Sequence, residues 1–243
     1  MDHAAHHCEL IVDEAYVPAA ERSALFADCP EFGRLAHLYR WMEWASFGPW
    51  LQRCRCWWLA EMAGCRRALV FGDGDGRFTA RLLRANPEIR LDAIDASAGM
   101  LAALLRRAGK DAARLRPHVA DARLWEPRRA DFDLVVSHFF LDCLTTEEVR
   151  SLAYKVRGTL GAGAVWAISE FAIPENRFGR WFARPLIAAL YRAFGLLTGL
   201  RVRRLPDYKG ALSDAGFELT GRRTWLGGLL TSELWSVIPR KTA

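Results

Sequence analysis

The sequence predicts a doubly wound α/β fold: a mostly parallel sheet of seven strands with helices on both faces and an antiparallel terminal strand. Two observations carry that expectation. From residue 68 onward, short β-like apolar runs alternate with stretches of helical apolar spacing. A glycine-rich turn, Gly72-Asp73-Gly74-Asp75-Gly76, joins the first run to the first helix, and the acid Asp95 follows nineteen positions after its last glycine.

In chain order, strands are expected at Ala68–Phe71, Arg90–Ile94, Arg116–Val119, Phe132–Ser137 and Val165–Glu170. Between them, Thr79–Ala85, Gly99–Ala108 and Glu147–Leu160 carry apolar residues at helical spacing. After residue 205 the pattern changes to a short helix, Ala211–Ala215, and two strands, Gly216–Thr224 and Ser232–Pro239, turned by Gly227-Gly228. Right-handed crossovers then place the loops that follow the parallel strands along one edge, where open α/β sheets bind ligands.

The 243 residues suffice for one large domain. Residues 1–243 are read as a single unit: a helical, aromatic-rich N-terminal cap at 20–64, a core at 65–174, a helical insertion at 175–205 and terminal strands at 206–243. Half the residues are hydrophobic and a quarter charged, which excludes extended disorder. The net charge of +6 allows an anionic partner, but the arginines are spread over many helices, so nucleic acid is not indicated. Ten Trp and 13 Phe, gathered before residue 60 and after 165, hint at an apolar ligand or a membrane surface. Six cysteines without paired spacing and a start without a leader pattern point to reduced thiols in the cytoplasm. The most apolar helical stretch, Trp181 to Leu200, contains Arg184, Pro185 and Arg192, which disfavours a spanning helix. His3, His6, His7 and Cys8 resemble a metal tract but have no partner ligands in sequence, and no metal is assigned.

The glycine turn separates two kinds of ligand. A dinucleotide fingerprint wants a small residue three positions after its second glycine, where helix and strand pack together; here that position is Arg77. Asp73 and Asp75 would repel a pyrophosphate but attract an ammonium group. Alternatively, the glycines merely make a tight turn, with Asp95 capping the next helix.

On these residues, 68–143 resemble the core of class I S-adenosylmethionine-dependent methyltransferases, whose fold is a Rossmann-like sheet. The resemblance implies S-adenosylmethionine as cofactor. Gly72, Asp73, Gly74 and Gly76 would meet its methionine part, and Asp95 and Ala96 its ribose. Met100, Asp121 and Ala122 would border the adenine, and Ser137 would stand beside them at the end of the fourth strand. Where the family often has an acid two positions before the first glycine, this chain has Val70; Asp73 is expected to take over the ammonium contact.

The loop Ser137-His138-Phe139-Phe140-Leu141-Asp142 would border the methyl group. His138, with an ordinary pKa of about 6.5, is the general-base candidate, or else a packing residue; Asp142 would orient it or start the next helix. The loop lacks the Asn/Asp-Pro-Pro-aromatic sequence of enzymes that methylate nucleic-acid amino groups. Leu35 to Gly48 is similar to the N-terminal segment of ubiquinone/menaquinone-biosynthesis C-methyltransferases, which would fold over the cofactor and bring Tyr39 near its sulfonium; otherwise Tyr39, Trp41 and Trp44 are core residues of an amphipathic helix. The insertion from Phe178 to Leu200 is either an interfacial helix that takes lipid-like substrates from a membrane or, more commonly, a cap packed on the sheet. The expected function is methyl transfer to a small, apolar or aromatic acceptor through O, C or N. The rivals are a nicotinamide-dependent oxidoreductase and a non-catalytic cofactor-binding member of the fold; oligomeric state is not legible.

Overall fold

The computed structural model describes residues 11–12, 47–127, 130–198 and 204–238. Its strands are β1 (Ile11–Val12), β2 (Arg67–Phe71), β3 (Arg90–Asp95), β4 (Leu115–Val119), β5 (Phe132–His138), β6 (Leu160–Phe171), β7 (Phe217–Trp225) and β8 (Leu230–Val237). The helices are α1 (Trp50–Arg55), α2 (Arg77–Ala85), α3 (Ala98–Ala108), α4 (Thr146–Arg157), α5 (Arg184–Thr198) and α6 (Tyr208–Asp214). They build one sheet in the order β1-β4-β3-β2-β5-β6-β8-β7. All neighbours from β1 through β6 run parallel, and β8 runs antiparallel to both β6 and β7.

The seven expected strands all form. Beyond them, the two-residue β1 lies beside β4, pairing Ile11 with His118. The largest boundary difference is in the stretch expected to be helical up to Leu160. Helix α4 stops at Arg157, and β6 begins at Leu160 rather than Val165. Gly161 and Gly163 carry no β-forming signal in sequence, yet Leu160 pairs with Phe132 and Gly163 absorbs an irregularity at φ +76°.

Strand period places Leu69 and Phe71 on one face of the sheet and Ala68 and Val70 on the other. On the first face they join Val135, Trp166, Ile168, Phe217 and Trp235 under α4 and α6. On the second, Phe78, Leu82, Leu101 and Leu104 of α2 and α3 close over Val70, Leu134 and Val136. A third apolar cluster sits at the C-terminal edge of the parallel strands: Phe47, Leu51 and Cys54 from the N-terminal cap meet Phe139 just after β5 and Leu229 and Leu230 at the start of β8, with Ala183 and Ile187 of the insertion. Cap and insertion therefore pack together at the C-terminal edge of the parallel strands.

Local chemistry fixes the helix ends. Ser97 caps α3 by accepting the Met100 N–H, so Asp95 is not that cap. Thr145 and Glu148 form a reciprocal capping box on α4, and Asp207 caps α6 through the Gly210 N–H. Buried Asn86, after α2, donates to the carbonyls of Met62 and Cys65 and accepts from the N–H groups of Glu88 and Ile89, tying the cap's last turn to the core.

Candidate active site

The segments that follow β2, β3 and β4 leave the sheet at one edge and are tied across neighbouring strands. The Gly72 N–H donates to Ile94 O, and the Ala120 N–H to Asp95 O, each at 3.1 Å. Gly72, Gly74 and Gly76 all have positive φ, at +60°, +57° and +78°. A Cβ on Gly72 would strike the Phe140 ring, and one on Gly76 would lie 2.8 Å from the Leu104 Cα. At Gly74 a Cβ would meet nothing within 4 Å, so the outer face of the turn is open.

The two turn aspartates have different fates. Asp73 Oδ2 accepts the Thr79 N–H at 2.8 Å, and burial raises its pKa against the lowering effect of that bond and of Arg55. Asp75 is turned aside: its Oδ2 lies 2.8 Å from Arg107 and 3.2 Å from Arg77. The expectation that both carboxylates face a ligand is corrected accordingly, because Asp75 is already neutralised by two guanidinium groups. Arg77, whose bulk argued against a dinucleotide, is the second of them.

Asp95 ends β3 with its Oδ1 accepting the Ser97 N–H at 2.8 Å. Burial pushes its pKa up to about 7, with the Asp73 charge adding to the rise. Ala96 follows it, and Met100 is buried one turn into α3. Asp121 is held by the Arg123 guanidinium, with Nε 2.9 Å from Oδ2, and Ala122 is buried in the core. Ser137 does not face the edge: its Oγ accepts the Trp166 Nε1–H at 3.0 Å in the interior, which removes its side chain from the expected cofactor set.

His138 is the last residue of β5 and is buried edge-on against Phe78, with ring centroids 4.5 Å apart. Neither ring nitrogen has a hydrogen-bond partner, so Asp142 does not orient it. Burial, then the nearby Arg55 charge, hold its pKa well below the ordinary 6.5, so the imidazole is neutral across the working range. The expectation of a pKa near working pH is thereby corrected. Asp142 sits in a short turn, Leu141–Cys143, close enough to Glu170 that the two carboxylates repel each other. Glu170, 1% exposed, accepts the Phe140 and Leu141 N–H groups on Oε1, while burial and the Asp142 charge push its pKa well up.

Sequence reasoning missed Arg55 and Glu170. Arg55 ends α1 with its guanidinium 5.1 Å from the Phe139 ring centroid, and its charge reaches Asp73 and His138. Nothing in the cap's spacing singles it out. Glu170 was visible as an acid within an apolar strand, the usual mark of a buried functional or structural carboxylate. Tyr39, Trp41 and Trp44 lie outside the described residues, as do the N-terminal histidines.

Beside this edge is a cavity of about 540 Å³ whose walls include Asp142, Glu170, Ile173, Leu205, Tyr208 and Arg222. It is the size of a small-molecule site and mixes apolar with polar walls. Behind it, Glu233, fully buried, binds Lys209 and Arg222 at 3.1 Å each and accepts from Tyr208 and Trp235. Among the described residues no group of His, Cys, Asp and Glu could hold a metal ion, and no helix is long and apolar enough to cross a membrane.

Residues 68–163 match a family model described as a methyltransferase domain. Over 161 residues the chain is 30% identical to trans-aconitate 2-methyltransferase of Mycobacterium marinum, a match that spans 65% of this chain and 59% of that relative. Among solved structures, it resembles the S-adenosylmethionine-dependent methyltransferase SibL in its apo form, with 24% identity, a TM-score of 0.62, and coverage of 93% of this chain and 71% of that one. The mitomycin 7-O-methyltransferase MmcR matches with 16% identity and a TM-score of 0.61, over 85% of this chain and 60% of that one.

Proposed function

We propose that residues 68–163, a methyltransferase domain of the class I S-adenosylmethionine-dependent family, make this chain an enzyme that methylates a small, apolar or aromatic acceptor. The residues present fit the family's cofactor. The turn is open at Gly74, Asp95 lies at the strand end, and two buried imidazole nitrogens of His138 stand without a protein partner at the same edge. The meeting of these three features on one edge is the observation that carries the reading. When bound, the cofactor supplies an electrophilic sulfonium methyl.

The chain's own residues then have defined tasks. The glycine turn lets the backbone approach the methionine part without Cβ interference. Asp73, buried beside the turn, is the acid available to an ammonium group once Asp75 is spent on Arg77 and Arg107. Asp95 takes the ribose hydroxyls, and Met100 and Ala122 flank the base. His138 presents a neutral imidazole that accepts a hydrogen bond or proton from the acceptor. Tyr39 is assigned the sulfonium-facing role on its sequence context alone. The cap and insertion, joined through Phe47, Leu51, Ala183 and Ile187, keep water from the edge. Positioning of this kind supplies up to about 7–11 kcal/mol of a two-reactant barrier, and it is what an in-line displacement most needs. The neighbouring cavity, with Ile173 and Leu205 against Tyr208 and Arg222, suits an acceptor that is apolar with one polar group. A cytoplasmic enzyme acting on a small molecule is the corresponding setting.

The test is transfer of a labelled methyl group from the cofactor into a metabolite extract, alongside calorimetric titration with S-adenosylhomocysteine. Incorporation that falls in His138→Ala, with cofactor affinity unchanged, supports the assignment. A wild-type rate in that variant returns His138 to a packing role. Binding of NADH in place of S-adenosylhomocysteine overturns the reading altogether.

A further inference from the structure

The insertion is built in an unusual sense. A surface helix normally buries its large apolar side chains and exposes its small or polar ones. From Phe178 to Arg184 the opposite holds. The face turned to the protein is Gly179 and Ala183, continued one turn on by Ile187. A Cβ on Gly179 would overlap the Pro174 carbonyl, so this face is pressed onto the chain below it. Outward stand Trp181, 76% exposed, and Phe182, 56% exposed, with Phe178 stacked on Phe182 at 5.3 Å. These are the largest exposed aromatic surfaces of the described residues near the site.

Charge accompanies them. Arg177, Arg180 and Arg184 are all exposed beside the aromatic residues, and none pairs with a carboxylate among the described residues. In sequence there is no acidic residue between Glu175 and Asp207, a stretch that holds seven arginines. Aromatic side chains flanked by arginines on one helical segment, with no acid to repel an anionic surface, are the elements of an interfacial anchor. The place matters too. Pro174 and Glu175, which lead into the segment, line the cavity beside the cofactor edge, and Phe178 packs against Gly227 of the turn next to cavity-lining Gly228.

We propose that the segment Arg177–Arg184 docks this protein on an anionic lipid surface, with Trp181 and Phe182 inserted at the headgroup boundary and the arginines on the phosphates. Docking in this orientation sets the cavity mouth against the lipid, so that an apolar acceptor enters from the bilayer rather than from water. The packed inner face and the exposed outer face are both used: one makes the segment a cap, the other an anchor. The lipid contact does not depend on which acceptor is methylated, and only the delivery role rests on the methyltransferase reading.

The experiment is sedimentation of the purified full chain with phosphatidylcholine vesicles, with and without about a third phosphatidylglycerol. Wild-type protein is expected to sediment with the anionic vesicles only, and less so as salt is raised. Trp181→Ala/Phe182→Ala and Arg180→Glu/Arg184→Glu are each expected to lower the partition coefficient by roughly tenfold or more. Both variants should keep wild-type affinity for S-adenosylhomocysteine, because neither touches the cofactor loops. Failure of the wild type to sediment, or aromatic variants that sediment like it, overturns the proposal. So does light scattering that shows a wild-type dimer and a Trp181→Ala/Phe182→Ala monomer, since the face would then join two copies, and so does binding to nucleic acid without binding to vesicles. Loss of S-adenosylhomocysteine binding by the wild type refutes the cofactor assignment and leaves the vesicle result standing.

Discussion

Alanine placed at three glycines separates what the turn does for folding from what it does for binding. Gly76, Gly74 and Gly163 share the left-handed backbone, with φ of +78°, +57° and +76°. A side chain in that region costs about 1–2 kcal/mol at each. Their surroundings differ. A Cβ at Gly76 lies 2.6 Å from the Leu104 Cγ and 2.8 Å from its Cα, and the latter is backbone that no rotamer change relieves. Overpacking of that kind adds about 1–3 kcal/mol. Gly76→Ala is therefore expected to destabilise by about 2–5 kcal/mol, whereas Gly163→Ala and Gly74→Ala, with nothing within 4 Å, should lose only about 1–2 kcal/mol. Urea unfolding at constant m-value reads all three. Calorimetry then divides the mild pair: Gly74→Ala should lose most of its S-adenosylhomocysteine affinity, and Gly163→Ala should keep it. A Gly76 variant no less stable than the Gly163 variant refutes the steric argument, and full affinity in the Gly74 variant refutes the open turn as a ligand surface.

Asp95→Asn should weaken cofactor binding by about 1.5–3 kcal/mol, the scale of hydrogen bonds to a charged group, while stabilising the free protein at pH 8. The folded pKa of about 7 lies above the unfolded one, so the native state holds more protons between them; the wild type loses stability as pH rises through that window, and the amide does not. The two proteins should converge near the unfolded pKa, and equal pH dependence in urea melts would exclude Asp95 as the source. Glu233→Ala strands Lys209, Arg222, Tyr208 and Trp235 and is expected to cost about 3–5 kcal/mol, with Glu233→Gln milder; near-equal denaturation midpoints for the two would be the contrary result. Asn86→Ala removes four hydrogen bonds, two to the Met62 and Cys65 carbonyls at the cap's end and two from the Glu88 and Ile89 amides, for a loss of about 2–4 kcal/mol and faster hydrogen exchange at those amides; a shift below that range with unchanged exchange would mean the tie is dispensable.

Much of the fold was legible because period and punctuation agree. Ala68–Phe71 is a short apolar run, the glycine turn that starts at Gly72 ends it before α2, and apolar residues at helical spacing from Glu147 announce α4. The start of β6 was misplaced because Leu160 joins it by pairing with Phe132 of β5 across an irregular stretch that holds Gly161 and Gly163, a long-range fact that no window around them contains. The site was legible where backbone geometry dictates residue type, at the glycines and at the strand-end acid Asp95. It was not legible where side-chain direction decides. Ser137 and His138 are neighbours in sequence, yet one hydroxyl is spent on Trp166 in the core while the next imidazole is left without a partner. Asp73 and Asp75 read alike, and only the approach of Arg107 from α3 tells them apart. Arg55 owes its place to packing between separate elements.

Strand β8 follows β7 in the chain yet lies between β7 and β6. Until Leu230–Val237 is threaded in, β6 has an open edge along Val165–Phe171 and β7 has no seat. The β7–β8 pair therefore joins the sheet through β8, the later of its two strands. The same event brings Glu233 between Lys209 and Arg222, so the ion cluster behind the cavity acts as a latch that closes when the sheet does. Anything that delays that last strand exposes an apolar edge to other chains, which makes β6 the place where misassembly of this protein should begin.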